Sequence, residues 1–278
     1  MKPSIAPAPE LVWFRGPDAV KFLNDLISQE IGAVEPGSVT RSLLLDPQGK
    51  LDFMLWVLRG EDFVGLVTED GRGDELVARL SRYRIRVDVD IELESSPTYL
   101  IVGAGPEKPG RFAQTGNALI ADISWPSLPR LLQIGGIMPD LPEVDPSELT
   151  AIRIGDGIPV FGVDVNEKTI PQEAGVVSDA VSFDKGCFLG QELVARLDSR
   201  GGRVNHHLRV LEFESPVPVG TKLSAGDREV GTVTSAAGTS GLSLLWREVE
   251  PGDLVSADGV PTTVKELPRK TAGSFTTS

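Results

Sequence analysis

The sequence predicts an α+β protein, and three observations carry that prediction. Ile85, Val87, Val89, Ile91 and Leu93 alternate with Arg86, Asp88, Asp90, Glu92 and Glu94, the period of a strand with one apolar and one wetted face. Asp145-Pro146-Ser147-Glu148 has the chemistry of a helix start, with a carboxylate cap, a proline in the first turn and an acid near the positive end of the dipole. After about Arg209 the chain changes to short β-prone runs separated by Gly, Pro and Asp, such as Val210 to Phe213, Val230 to Thr234, Leu242 to Trp246 and Val260 to Val264. That spacing suits a small β-barrel or sandwich.

The other elements follow in order. Gly16-Pro17-Asp18 opens a helix carrying Ala19, Phe22, Leu23, Leu26 and Ile27 at helical spacing, expected to end near Gln29. Ser42 to Leu45 and Leu51 to Leu58 read as a hairpin, because Asp46-Pro47-Gln48-Gly49 between them has turn chemistry. Leu76, Val77, Leu80 and Tyr83 mark a short amphipathic helix. From Ser95 to about Asp145 the Gly- and Pro-rich sequence suggests strands and loops. In the helix opened by Asp145, Leu149 and Ile152 form the expected buried side, and 155–184 reads as a loop before a helix from Gly190 to Leu197.

Composition narrows the function. At about 150 residues per domain, 278 residues make two domains or three small ones. A formal charge of −13 repels phosphate backbones, so direct nucleic-acid binding is not expected. The single cysteine, Cys187, excludes an intramolecular disulfide and a Cys-rich zinc or iron–sulfur site built by this chain alone. His206 and His207 are adjacent and point to opposite faces of an extended segment, so no protein-ligated metal is expected. No window approaches the length of a membrane span and the proline-interrupted start is no signal peptide, so the expected location is cytoplasmic. Gly103-Ala-Gly105 lacks the third glycine of a dinucleotide loop, having Lys108 in its place, and reads as a turn.

The candidate site is the segment Asp184-Lys-Gly-Cys187-Phe-Leu-Gly-Gln-Glu192. Two glycines bracket the thiol, Lys185 precedes it by two residues, and a helix begins just after. A cation and a helix N-terminus both favour a reactive thiolate. Composition alone favours a buried structural cysteine, since cysteine is among the most buried residue types.

Lys185-Gly-Cys-Phe-Leu-Gly-Gln-Glu192, followed by Val194-Ala-Arg196, resembles the K-G-C-[YF]-x-G-Q-E signature of the YgfZ family, folate-binding proteins related to the T-protein (aminomethyltransferase) of the glycine cleavage system. Arg153-Ile-Gly-Asp156-Gly157-Ile-Pro159 resembles the family's R-[IL]-E-A-G-x-P segment, and Ile170-Pro-Gln-Glu173 its [IL]-P-Q-E stretch. Gly16 to Leu23, Pro47 to Lys50 and Val230 to Ser235 are also family-like.

The resemblance implies a T-protein-like multidomain arrangement around a central folate cavity, with a C-terminal β-barrel. The implied regions are an N-terminal α+β folate-binding part over 1–150, a motif segment over 151–205 and the barrel over 206–268, with a frayed tail over 269–278. It further implies tetrahydrofolate or a derivative as cofactor, and iron–sulfur client or assembly proteins as partners. The implied role is cluster assembly or repair, indirectly supporting tRNA modification; the alternative is a tetrahydrofolate-dependent aminomethyltransferase or demethylase. Cys187 would be the functional thiol, supported by Lys185. Arg153, Asp156, Gly157, Gln191 and Glu192 would hold the cofactor, with Gln191 and Glu192 capping the first helical amides. At two positions the chain departs from the pattern. The family's glutamate falls on Gly155, and aligning Gly49 of the turn puts Phe53, not Asp52, where the transferases carry their carboxylate.

Overall fold

The computed structural model describes residues 1–199, 201 and 203–268, so the expected fray over 269–278 lies outside the described residues. The described strands form three antiparallel sheets. The first has the spatial order β3 (Ser38–Leu45), β4 (Leu51–Arg59), β5 (Phe63–Thr68), β2 (Glu10–Arg15) and β6 (Asp90–Leu93). The second runs β1 (Ser4–Ala6), β7 (Thr98–Val102), β10 (Arg130–Gly135), β9 (Ala118–Asp122) and β8 (Phe112–Thr115).

These two sheets share a core in which Leu11, Trp13, Val39 and Val67 of the first meet Leu100, Ala121 and Leu132 of the second. The other face of the first sheet is covered by α1 (Ala19–Asn24) and α2 (Gly73–Ser81), through Phe22, Leu23, Leu76 and Leu80. Burial on both faces explains why Phe53 to Leu58 reads as a continuous apolar run rather than an alternation.

Two expected elements are shorter in the structure. The first helix stops at Asn24 rather than near Gln29, because Ile27 pairs with Leu44 and Ser28 N donates to Leu43 O, which turns the chain into the sheet. The alternation over 85–94 becomes strand only from Asp90. Its partner β2 ends where Arg15 faces Asp90, leaving nothing for residues 85–89 to pair with. Arg86 instead takes a left-handed φ of 59°, and Ile85 is 72% exposed.

Beyond the second sheet, Asp145 caps α3 (Pro146–Gly155), its carboxylate accepting from Ser147 N and Oγ at 2.8 Å each. Leu149 and Ile152 are only partly buried against the shared core, and Arg153 and Ile154 go deeper. The stretch expected to be a loop contains two single-turn helices, α4 (Pro171–Ala174) and α5 (Val177–Ala180), before α6 (Gln191–Ser199).

The third sheet has the order β13 (Arg228–Thr232), β12 (Lys222–Ala225), β16 (Leu254–Ala257), β17 (Val260–Lys265), β11 (His206–Phe213), β15 (Ser240–Trp246) and β14 (Ser235–Ala237). It curls into a half-barrel around Leu211, Phe213, Leu223, Val255 and Val264. Ser243 Oγ donates to Thr232 O at 2.7 Å, drawing β15 toward β13.

One buried ion pair ties this half-barrel to α3. Arg153 Nη1 and Asp164 Oδ2 are 2.7 Å apart, with the Asp164 side chain fully buried. Arg153 also donates to Ile158 O at 2.7 Å and Ser235 Oγ at 2.6 Å. Asp164 Oδ1 accepts from Thr234 Oγ1 at 2.6 Å and Ser235 Oγ at 2.7 Å. Removing one charge would strand the other in the interior. Asp164→Asn should therefore lower unfolding free energy by about 3–5 kcal/mol, read from urea midpoints. A loss below about 1 kcal/mol would contradict this role.

Candidate functional site

A cavity of about 260 Å³ lies between the two five-stranded sheets and α3. Its wall includes Arg41 of β3, Trp56 of β4, Glu69 just past β5, Trp125, Arg130 at the start of β10, and Phe161. All but Phe161 form a continuous ladder. Arg41 and Trp56 face each other across the hairpin, and the guanidinium lies 5.0 Å from the ring centroid. Trp56 Nε1 donates to Glu69 Oε2 at 3.2 Å, and Arg130 Nη2 pairs with Glu69 Oε1 at 2.5 Å. Arg130, only 1% exposed, stacks 4.1 Å from the Trp125 centroid.

Burial pushes the Glu69 carboxyl up, but Arg130, Arg41 and the Trp56 N–H together hold it below the usual range. It is therefore an ionised acceptor in a cleft that also carries Trp56, Trp125, Phe161, Arg41, Arg130 and Arg153. Burial pulls Arg41 down, opposed by Glu69 and Asp179. Trp125 is 7% exposed, and its indole Nε1–H is buried with no hydrogen-bond partner among the described residues. A buried donor left unmet is a standing penalty that a bound acceptor would remove.

The cysteine segment lies elsewhere, against the turn of the β3–β4 hairpin. Gly190, at φ 77°, packs on the Asp46 carbonyl, and a Cβ there would also stand 2.8 Å from Leu45 Cβ. Gly49, at φ 80°, returns the contact: its Cβ would sit 2.7 Å from Leu193 Cβ and 2.9 Å from Gly190 O. Two left-handed backbones in contact admit only glycine on both sides. A Cβ built at Gly186 meets none of the described residues within 4 Å, so sterics place no such demand on it.

Cys187 is exposed on this loop. Lys185 does not face it as the thiol's cation. The lysine is 8% exposed, and its ammonium donates to Asn24 O, Ile27 O and Gln29 O at 2.6, 2.7 and 3.0 Å, occupying all three N–H groups at the end of α1. Burial lowers its pKa to about 8, against the opposing fields of Glu30 and Asp25.

The other expected site residues are scattered. Arg153 lines the cavity, but its guanidinium is bound by Asp164, Ser235 and the Ile158 carbonyl. Asp156 accepts from Ser127 N at 3.1 Å, and Gly157 packs on Leu267 and Pro268. Gln191 Oε1 accepts from Phe188 N at 3.3 Å, securing the loop rather than the helical amides, while Glu192 points to solvent 3.9 Å from Arg196. Of the IPQE stretch, Gln172 donates to Val194 O and Glu173 pairs with His206 at 3.2 Å, tying α4 to α6 and to the half-barrel. Strand β4 bulges where Leu44 faces Phe53 and Leu45 faces Leu51. The skipped Asp52 is bound by Arg79 at 3.0 Å and Arg72 at 3.6 Å, and Phe53 is fully buried.

Sequence reasoning missed Arg41, Trp56, Glu69, Trp125 and Arg130. They come from four separate segments with no shared motif, and the available signal was two tryptophans and a buried-strand arginine in a chain with four Trp in all.

Superposition on the glycine cleavage system aminomethyltransferase T from Bartonella henselae gives a TM-score of 0.83, covering 96% of this chain and 85% of that one at 18% identity. Residues 207–268 match the CAF17 C-terminal beta-barrel domain. Along the whole chain, the mitochondrial iron–sulfur cluster assembly factor IBA57 of Homo sapiens is 28% identical, covering 88% of this chain and 77% of its own. The tRNA-modifying protein YgfZ of Serratia proteamaculans is 28% identical over 89% of this chain and 83% of its own. The chain is thus similar in sequence to YgfZ and IBA57 proteins and shares the aminomethyltransferase fold. No described helix is long and apolar enough to cross a membrane.

Two outcomes follow from the loop. Gly190→Ala forces a left-handed alanine into the Asp46 carbonyl, so denaturation should register a loss of about 2–5 kcal/mol, against about 0.5 or less for Gly186→Ala. Equal effects would reject the glycine contact. For Lys185 the folded pKa of about 8 lies below the unfolded value of 10.5, so the unfolded chain holds more protons between them. This group's contribution to stability therefore rises with pH across that window. The stability difference between wild type and Lys185→Met should grow from pH 8 to 10.5, and a flat difference would contradict the shift.

Proposed function

We propose that the chain is a folate-binding accessory protein for assembly or repair of iron–sulfur clusters in client enzymes, indirectly supporting tRNA modification, with Cys187 as its reactive thiol. The observation that carries the reading is the cavity, which combines indole walls, an ionised carboxylate and an unmet buried donor. That set suits a planar heterocycle with donors and acceptors along one edge, as in the pterin of tetrahydrofolate. The accessory role is supported by relatives named for iron–sulfur cluster assembly and tRNA modification.

Tetrahydrofolate, when bound, supplies a carrier for one-carbon units. This chain's part is to bind and orient the ring against Trp56 and Trp125, to exclude water and to keep Glu69 ionised beside Arg130. The thiol and the cavity use the same hairpin: Trp56 and Met54 of β4 line the cavity, and the turn supports the cysteine loop. One thiolate gives one ligand of the several that a cluster requires, so iron or cluster held as cargo is shared with a client or a second copy.

The transferase alternative asks for a free carboxylate on β4. Burial raises the Asp52 pKa against Arg79 and Arg72, and both arginines engage it, which favours the accessory reading over the transferase one.

The test is complementation of a strain deleted for this gene, measuring the activity of an iron–sulfur enzyme. Wild type should restore activity and Cys187→Ala should stay at the empty-vector level. Equal rescue by both would reject the thiol's role, and no rescue by wild type would reject the accessory function.

A further inference from the structure

The family's pterin-binding glutamate falls on Gly155 in this chain. Gly155 is exposed, does not line the cavity, and a Cβ built there meets no atom within 4 Å. The cavity nevertheless contains a carboxylate, contributed by a different sheet. Glu69 stands at the end of β5, and each of its oxygens accepts one hydrogen bond, from Arg130 at 2.5 Å and from Trp56 at 3.2 Å. A carboxylate oxygen has two lone pairs, so each retains one acceptor site. Trp125 supplies the complementary feature, a buried N–H with no partner among the described residues.

We infer that the ligand-reading edge of this cavity has moved from α3 to the end of β5: Glu69 accepts from the paired N–H donors of a 2-aminopyrimidinone ring, and Trp125 Nε1 donates to an acceptor on the same ligand. The inference rests on the folate reading above and deepens it. Arg130 and Trp56 are positioning residues: they fix the two oxygens side by side, and the stacking of Arg130 on Trp125 sets the distance between acceptor and donor. Asp70, the other carboxylate of the lining, is the weaker acceptor, because Thr68 Oγ1 binds one oxygen and Arg72 lies 3.4 Å from the other.

The test is calorimetric binding to the full chain, with 5-formyltetrahydrofolate, its 2-desamino-2-methyl analogue and p-aminobenzoylglutamate as probes. Wild type should bind the first at least about tenfold more tightly than the desamino analogue, the share of one hydrogen bond to a charged group. Glu69→Gln should weaken 5-formyltetrahydrofolate by a similar factor and leave p-aminobenzoylglutamate, which has no pterin, unchanged. Trp125→Phe, which keeps the stack and removes the donor, should cost several-fold, and Asp70→Asn should cost little.

Tight binding by wild type with no change in a folded Glu69→Gln, or with the loss falling on Asp70→Asn, overturns the assignment and leaves the folate reading standing. No binding of any folate by wild type rejects that reading itself. Should Glu69→Gln fail to fold beside buried Arg130, the wild-type comparison decides: equal affinity for folate and desamino analogue overturns the inference.

Discussion

The pair Arg153–Asp164 fixes more of this molecule than any other contact. Its two charges are eleven residues apart, so closing them folds the intervening chain into a loop, and Ile158 to Phe161 of that loop become one wall of the cavity. The same pair reaches Thr234 and Ser235 and so sets where the half-barrel docks. A buried ion pair is a weak source of net stability, but a fully satisfied one is a strong constraint on geometry, because every alternative leaves a charge in the interior.

The β3–β4 hairpin is the second organising element. Its strands present Arg41, Met54 and Trp56 to the cavity, and its turn receives Gly190. The cavity and the exposed thiol therefore share one rigid support, and a displacement of the hairpin would be felt at both. Lys185 adds a third attachment, drawing the cysteine loop onto the end of α1 through three carbonyls. The lysine of the motif thus orders the loop that carries the thiol, which leaves Cys187 free at the surface.

Charge is distributed to match. The chain is acidic as a whole, at −13, yet its cavity gathers Arg41 and Arg130 around a single glutamate among aromatic rings. Glu69 is open to solvent at the cavity edge, and the two arginines and the Trp56 N–H hold its carboxyl below the usual range.

Much of the architecture was legible in the amino-acid order, because the cues are local. The Asp46–Lys50 turn, the Asp145 cap and the switch to short β-prone runs after Arg209 each depend on neighbours a few residues away, and each stands in the structure. The cysteine motif was equally plain, as were the glycines at 49 and 190, though the reason for them was not. Where pairing decides, sequence misled: the alternation over 85–89 had no partner strand beyond Arg15, and α1 ended where Ile27 met Leu44. The ladder from Arg41 to Trp125 could only emerge in three dimensions, since residues 41, 56, 69, 125 and 130 have no mutual spacing and meet because two sheets pack face to face. The sequence by itself determined the local elements and the family motif. The tertiary structure decided which side chains hold the fold, Arg153 and Lys185 among them, and which line the cavity. That division follows from burial, because a polar group's role depends on whether the folded protein supplies its partner.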